Sequence, residues 1–158
     1  MSIELVRDYM KKYNRENDIL EFSVSSATVA LAAEALGVEP CRIAKTLSFK
    51  KDDGCILVVT AGDVKIDNAK FKHTFGMKAK MLTAEEAVDL IGHAVGGVCP
   101  FAVKESVIGI YIDESVKRFE TVFPACGSSS SAIKLTPDEL FDISNATEWV
   151  DVAKLIEV

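Results

Sequence analysis

Two apolar runs, Ile43–Phe49 and Cys55–Thr60, are separated by Asp52-Asp53-Gly54, and that joint constrains the chain more than any other feature. Two acidic residues and a glycine over so short a span reverse the backbone tightly, so the pair predicts an antiparallel hairpin. One residue breaks the apolar character of the first run. Lys45 places a single positive charge where the strand would otherwise be apolar.

The flanking segments predict helices between further strands. Leu5, Val6, Tyr9, Met10 and Tyr13 fall at helical spacing within residues 3–13, and Ile19 to Phe22 reads as a short strand. Ser25 or Ser26 is expected to cap a helix from Ala27 to Leu36, closed by Gly37. Asp67 caps a helix running to Phe75 and stopped by Gly76. Thr83-Ala-Glu-Glu86 and Thr136-Pro-Asp-Glu139 are both capping boxes, the first opening a helix that ends at Gly92. Val107–Ile112, Thr121–Phe123 and Ala132–Leu135 complete the expected strands. Strands and helices mix without strict alternation, which favours an α+β fold over a doubly wound sheet.

At 158 residues the expectation is one domain over residues 1–158, long enough to bury a core. No apolar run reaches membrane-span length, and the Met-Ser-Ile-Glu-Leu start lacks a signal-peptide pattern, so a cytoplasmic protein without membrane association is expected. Cys41, Cys55, Cys99 and Cys126 form no C-x-x-C pair and have no histidines at metal spacing. They read as reduced thiols, and neither a metal nor a cofactor is expected. The net charge of −6 argues against a broad nucleic-acid surface. Residues 42–81 nevertheless hold nine lysines and arginines against four acids, so this segment is +5 and the remainder −11. A local basic face could meet phosphate there.

The glycine-rich stretch Val95-Gly-Gly-Val-Cys-Pro-Phe101 completes the pattern. Two glycines let the backbone approach a ligand closely, and the proline stiffens the far end of the stretch. With Lys45 it suggests a pocket of main-chain groups and one cation. In order, the chain shows Ala35-Leu36-Gly37-Val38, the lysine strand Ile43–Leu47, Gly96-Gly97-x-x-Pro100, Ala125-Cys-Gly127-Ser128 and Ile133-x-Leu-Thr-Pro-Asp-Glu-Leu140. Over residues 3–145 this order and spacing resembles the YbaK/ProX family of aminoacyl-tRNA deacylases, relatives of the editing domain in bacterial prolyl-tRNA synthetases.

The resemblance implies a mixed, strongly curved, barrel-like β-sheet flanked by helices, and hydrolysis of the ester of a mischarged tRNA. A small amino acid (cysteine, alanine or serine) is implied, with proline tRNA as one carrier. It implies that Lys45 contacts the terminal adenosine through phosphate or ribose and that Lys45 and Gly97 carry the catalytic role. Gly96, Gly97 and Pro100 would shape the aminoacyl pocket, with Gly127 and Ser128 on the opposite wall. Thr28, Thr46 and Cys99 join them as substrate-binding positions. The implied partners are the tRNA acceptor end and a synthetase, and a homodimer is left open.

An aminoacyl ester is already reactive, so orientation and a placed water or substrate group carry most of the chemistry. Backbone N–H groups of a glycine loop can stabilise the developing oxyanion. No Ser-His-Asp set can be assigned: His73 sits in a lysine-rich helix, and His93, though beside the loop, is given no catalytic role. One departure matters. The cysteine-type deacylases carry Lys-Arg and then an acid after the later glycine, where this chain has Ser128, Ser129 and Ala132. Two other readings stay open, a non-catalytic module that docks on tRNA or synthetase and a binder of small nucleotides or aminoacyl adenylates.

Overall fold

The computed structural model describes residues 2–23 and 28–156. Its centre is the expected hairpin, β2 (Ile43–Lys51) against β3 (Gly54–Ala61), paired antiparallel from Ala44↔Ala61 to Lys51↔Gly54. The reversal is a two-residue tip in which Asp52 takes the left-handed conformation, φ 53°. Asp tolerates that region because its short polar side chain bonds locally. β3 is buried along its whole length because both faces of the sheet are covered. Cys55, Leu57 and Val59 face one core, while Ile56 and Val58 face the other.

Beside β3 lies β5 (Val107–Asp113) in parallel, followed by β8 (Glu148–Val150). On the other side β6 (Phe123–Pro124) runs parallel to the start of β2, giving the order β6-β2-β3-β5-β8. The sheet is mixed and curved, and its edge strands β6 and β8 do not pair, so it stops short of a closed barrel. Two small pairs lie outside it: β1 (Leu20–Glu21) with β7 (Ser131–Ala132), and β4 (Val64–Ile66) with β9 (Ala153–Leu155).

Helices flank the sheet as the α+β reading requires. The larger core takes Val6 and Met10 from α1 (Ser2–Met10), Ala87 from α4 (Ala84–Leu90), and Leu140 and Ile143 from α5 (Pro137–Ile143). The opposite face is sealed by Phe71 of α3 (Asn68–Phe75), whose ring packs tilted against Phe49. Both capping boxes form, and Asp67 caps α3.

Several boundaries differ from expectation. The strands expected at 121–123 and 132–135 are observed as Phe123–Pro124 and Ser131–Ala132, with Val122 and Leu135 paired singly beyond them. α1 tightens at Met10 into a 3-10 turn over Lys11–Tyr13, ended by Asn14 at φ 58°. α2 (Val29–Leu36) is capped by Thr28, whose Oγ1 accepts from the Leu31 N–H at 3.2 Å. The expected caps Ser25 and Ser26 lie outside the described residues. No described helix is long and apolar enough to cross a membrane.

Candidate functional site

The site begins with an interrupted sheet edge. Ser48 C=O accepts from Leu82 N–H at 3.2 Å and Lys50 N–H donates to Lys80 C=O at 2.8 Å. Even-numbered residues of β2 therefore turn their amides away from β3, since alternate residues of a strand address the same neighbour. The start of this edge is taken by β6, at Ile43↔Phe123 and Ala44↔Pro124. β6 contributes only two residues before the chain turns away through Gly127, which has φ 91°. Between the two coverings, Thr46 points its N–H and C=O into a gap. No described residue pairs with that amide.

A cavity of about 160 Å³ occupies this gap. α2 supplies Thr28, Val29, Ala32 and Leu36 on one side, and Ile43 to Thr46 of β2 form the floor. Gly96 and Val98 of the glycine loop, with Phe123, Ala125, Ser131 and Ala132, complete the wall. The lining is mostly apolar, with a few polar groups converging on it, which is the usual make-up of a small-molecule site. Thr46 Oγ1 is one of them, buried and without a hydrogen-bond partner among the described residues.

Lys45 is the cation of the cavity. Its Nζ donates to the Val64 carbonyl, and burial lowers its pKa from the ordinary lysine range, with Asp63 opposing. Asp63 is itself gripped by Arg118, whose Nη1 and Nη2 donate at 3.1 and 2.5 Å and hold its carboxyl below the usual range. The neighbouring carboxylate is thus already engaged, and Lys45 is left with a neutral carbonyl. An ammonium so held can exchange that partner for an anion at little cost. Elsewhere in the basic segment, Lys50 is paired with Glu86 and Lys70 with Asp151, so fewer charges are open to phosphate than the count suggests.

Thr28, Lys45, Thr46 and Gly96 are brought together around the cavity. The other expected residues stand behind it. Gly97 is packed flat against the next segment, and a Cβ there would lie 2.7 Å from Gly127 C and O and 2.8 Å from Ser128 Cα. Gly127 in turn sits on the start of α1, where a Cβ would come within 2.7 Å of Ser2 C=O. Ser128 Oγ donates to Ser131 Oγ at 2.9 Å and so reaches the wall through Ser131. Cys99 is fully buried, its thiol donates to Phe101 C=O at 3.7 Å, and burial pushes its pKa up to about 12. Pro100 lines a separate depression with Tyr9, Lys104 and Asn145.

Sequence reasoning missed the α2 face, Val98, Ala125 and Ser131. Val29, Ala32 and Leu36 carry the spacing of a helix face, but spacing alone does not distinguish a face on the core from one beside a cavity. Among the described residues no group of three or more His, Cys, Asp or Glu side chains could hold a metal ion.

Residues 24–143 match the model of a family described as an aminoacyl-tRNA editing domain. The chain is 54% identical over 155 residues to the protein YwhH of Bacillus subtilis (strain 168), covering 98% of each. It is 33% identical over 129 residues to the proline–tRNA ligase of Geobacillus sp. (strain WCH70), covering 79% of this chain but only 22% of the ligase. A solved structure described as a candidate trans-editing enzyme for prolyl-tRNA synthetase superposes with a TM-score of 0.86 at 27% identity, covering 97% of both chains.

Proposed function

Because the chain belongs to the aminoacyl-tRNA editing domain family, we propose that it acts in trans as a deacylase, hydrolysing the ester that joins a small amino acid to the terminal ribose of a mischarged tRNA. The observation that carries this reading is the cavity at the open edge of β2, with Lys45 as a half-buried cation whose Nζ has no carboxylate hydrogen-bond partner among the described residues. The amino acid occupies the apolar pocket beside α2. Lys45 takes the phosphate or ribose of the terminal nucleotide.

The chemistry asks little of the side chains. Water adds to the ester carbonyl carbon, the tetrahedral intermediate collapses, and the ribose oxygen leaves with a proton. The Thr46 amide and the glycine-loop backbone supply fixed dipoles beside the carbonyl oxygen, and such donors stabilise charge that develops during reaction. The attacking water is placed by the loop or by a substrate hydroxyl. An acidic chain of net charge −6 holds only the acceptor end of the tRNA. A synthetase that charges the same tRNA is the natural neighbour, and a tRNA substrate supports a cytoplasmic location.

The cavity is small, about 160 Å³, and lined by Ala32, Val98 and Ala125, which supports an alanyl, seryl or cysteinyl group over a bulky one. A pocket of this kind selects by excluding bulk, since one methylene is worth only about 1–3 kcal/mol. The test is release of amino acid from a panel of mischarged tRNAs by the purified protein. Small esters, proline tRNA among the carriers, should turn over fastest. Faster release of leucine or phenylalanine than of alanine contradicts the reading. Binding without turnover would favour the docking module that the missing basic pair at Ser128 and Ser129 suggests.

A further inference from the structure

His93 is fully buried and takes no part in the chemistry above. It stands at the base of the glycine loop. Its Nε2 lies 2.7 Å from Phe101 C=O, and the Cys99 thiol converges on the same carbonyl. A carbonyl only accepts, so Nε2 carries the proton and Nδ1 is bare. Nδ1 is buried with no hydrogen-bond partner among the described residues, and burial lowers the pKa, so the ring is neutral. An apolar side chain would fill this core position without leaving an orphaned nitrogen. What the histidine adds is its short bond to Phe101 C=O, with Cys99 Sγ 3.6 Å from the same Nε2.

That bond spans the loop. Ile91 C=O accepts from Lys104 N–H at 3.1 Å, and the His93–Phe101 bond forms the next rung inward. Residues 94–100 are looped out beyond the two rungs, tightened by Gly97 N–H to Ala94 C=O at 2.9 Å. Gly96 and Val98, both in this span, are the residues the loop gives to the cavity wall. We propose that His93 is a positioning residue, whose Nε2–H bond to Phe101 C=O fixes the position of Gly96 and Val98 against the substrate. The proposal rests on the deacylase reading and assigns it a residue that sequence reasoning passed over.

The experiment compares His93→Gln, which keeps an N–H donor near the Nε2 position, with His93→Phe and His93→Leu, which keep apolar bulk and lose the donor. Thermal melts, amide hydrogen exchange over residues 94–101, and kcat and KM for alanyl-tRNA are measured on the full chain. The phenylalanine and leucine variants should melt cooperatively, exchange faster at Gly96 to Val98, and lose about ten- to a hundredfold in kcat, the cost of a misplaced reacting group. KM should change little, because Lys45 is untouched. The glutamine variant should recover most of kcat. Equal kcat in the glutamine and apolar variants, or wild-type kcat in an apolar one, overturns the proposal. If neither apolar variant folds, a glutamine variant that folds but has lost kcat overturns it. If wild-type protein releases no amino acid from any ester, the deacylase reading fails by itself. The exchange data then decide for His93, and unchanged protection at Gly96 to Val98 in the apolar variants overturns its role.

Discussion

Replacing Lys45 with alanine should lower kcat/KM on mischarged tRNA by about ten- to a hundredfold, because a charge-assisted hydrogen bond is worth about 1.5–3 kcal/mol. The melt should fall only modestly, because the fold loses one bond, to the Val64 carbonyl at the edge of β4, and the cooperative transition should remain. The alkaline limb of the pH profile gives an independent readout. Burial lowers the Lys45 pKa, so as pH rises the ammonium is lost before an ordinary lysine would lose its proton. The kcat/KM profile reports groups of the free enzyme. After subtraction of spontaneous ester hydrolysis, wild-type activity should therefore fall below the usual lysine range. Lys45→Arg, which cannot deprotonate there, should lack that limb. Unchanged activity in Lys45→Ala at subsaturating substrate would show a lysine that merely tethers β2 to β4.

Gly97→Val should have the second large effect, and its cause is not direct blockage of the cavity. Gly97 is buried against the backbone of Gly127 and Ser128, where a Cβ would stand 2.7–2.8 Å from main-chain atoms that cannot rotate aside. The 127–131 segment must shift, and it carries Ser131 into the cavity wall. Overpacking of this kind costs about 1–3 kcal/mol of stability. A displacement near 1 Å at a reacting centre costs about a hundredfold in rate. The expected result is a cooperative melt at lower temperature with activity reduced by about that factor. Gly97→Ala, the smallest side chain, covers the case in which valine prevents folding. Wild-type activity in Gly97→Ala would mean that this contact does not set the wall.

The elements legible in the sequence are those whose signals are local. The β2–β3 hairpin follows from two apolar runs around Asp52-Asp53-Gly54, and α3, α4 and α5 follow from Asp67, Thr83 and Thr136 at their caps. Lys45 stood out because a lone charge in an apolar strand needs a reason. β4, β8 and β9 were missed because each has three residues and gains its place from its partner. Val64↔Leu155 and Tyr111↔Glu148 are pairings between segments far apart in the chain, and no short window contains them. The cavity was only half legible for the same reason. Motif spacing pointed to the glycine loop, but the gap depends on β6 leaving β2 after Pro124 and on α2 covering what is exposed. Gly97, Gly127 and Ser128 drew attention as a pocket lining, and the fold stacks them as the support behind it.

The central claim is that the aminoacyl end of a tRNA lies in the cavity between α2 and the open edge of β2. A crystal structure of the protein with an alanylated 3′-amino-3′-deoxyadenosine 5′-phosphate tests it most directly, since the amide link resists hydrolysis. The account predicts the alanyl group beside Ala32 and Val98, its carbonyl oxygen near the Thr46 amide, and the phosphate or ribose on Lys45 Nζ. The analogue bound elsewhere, or bound with Lys45 still on the Val64 carbonyl and the cavity empty, would contradict it.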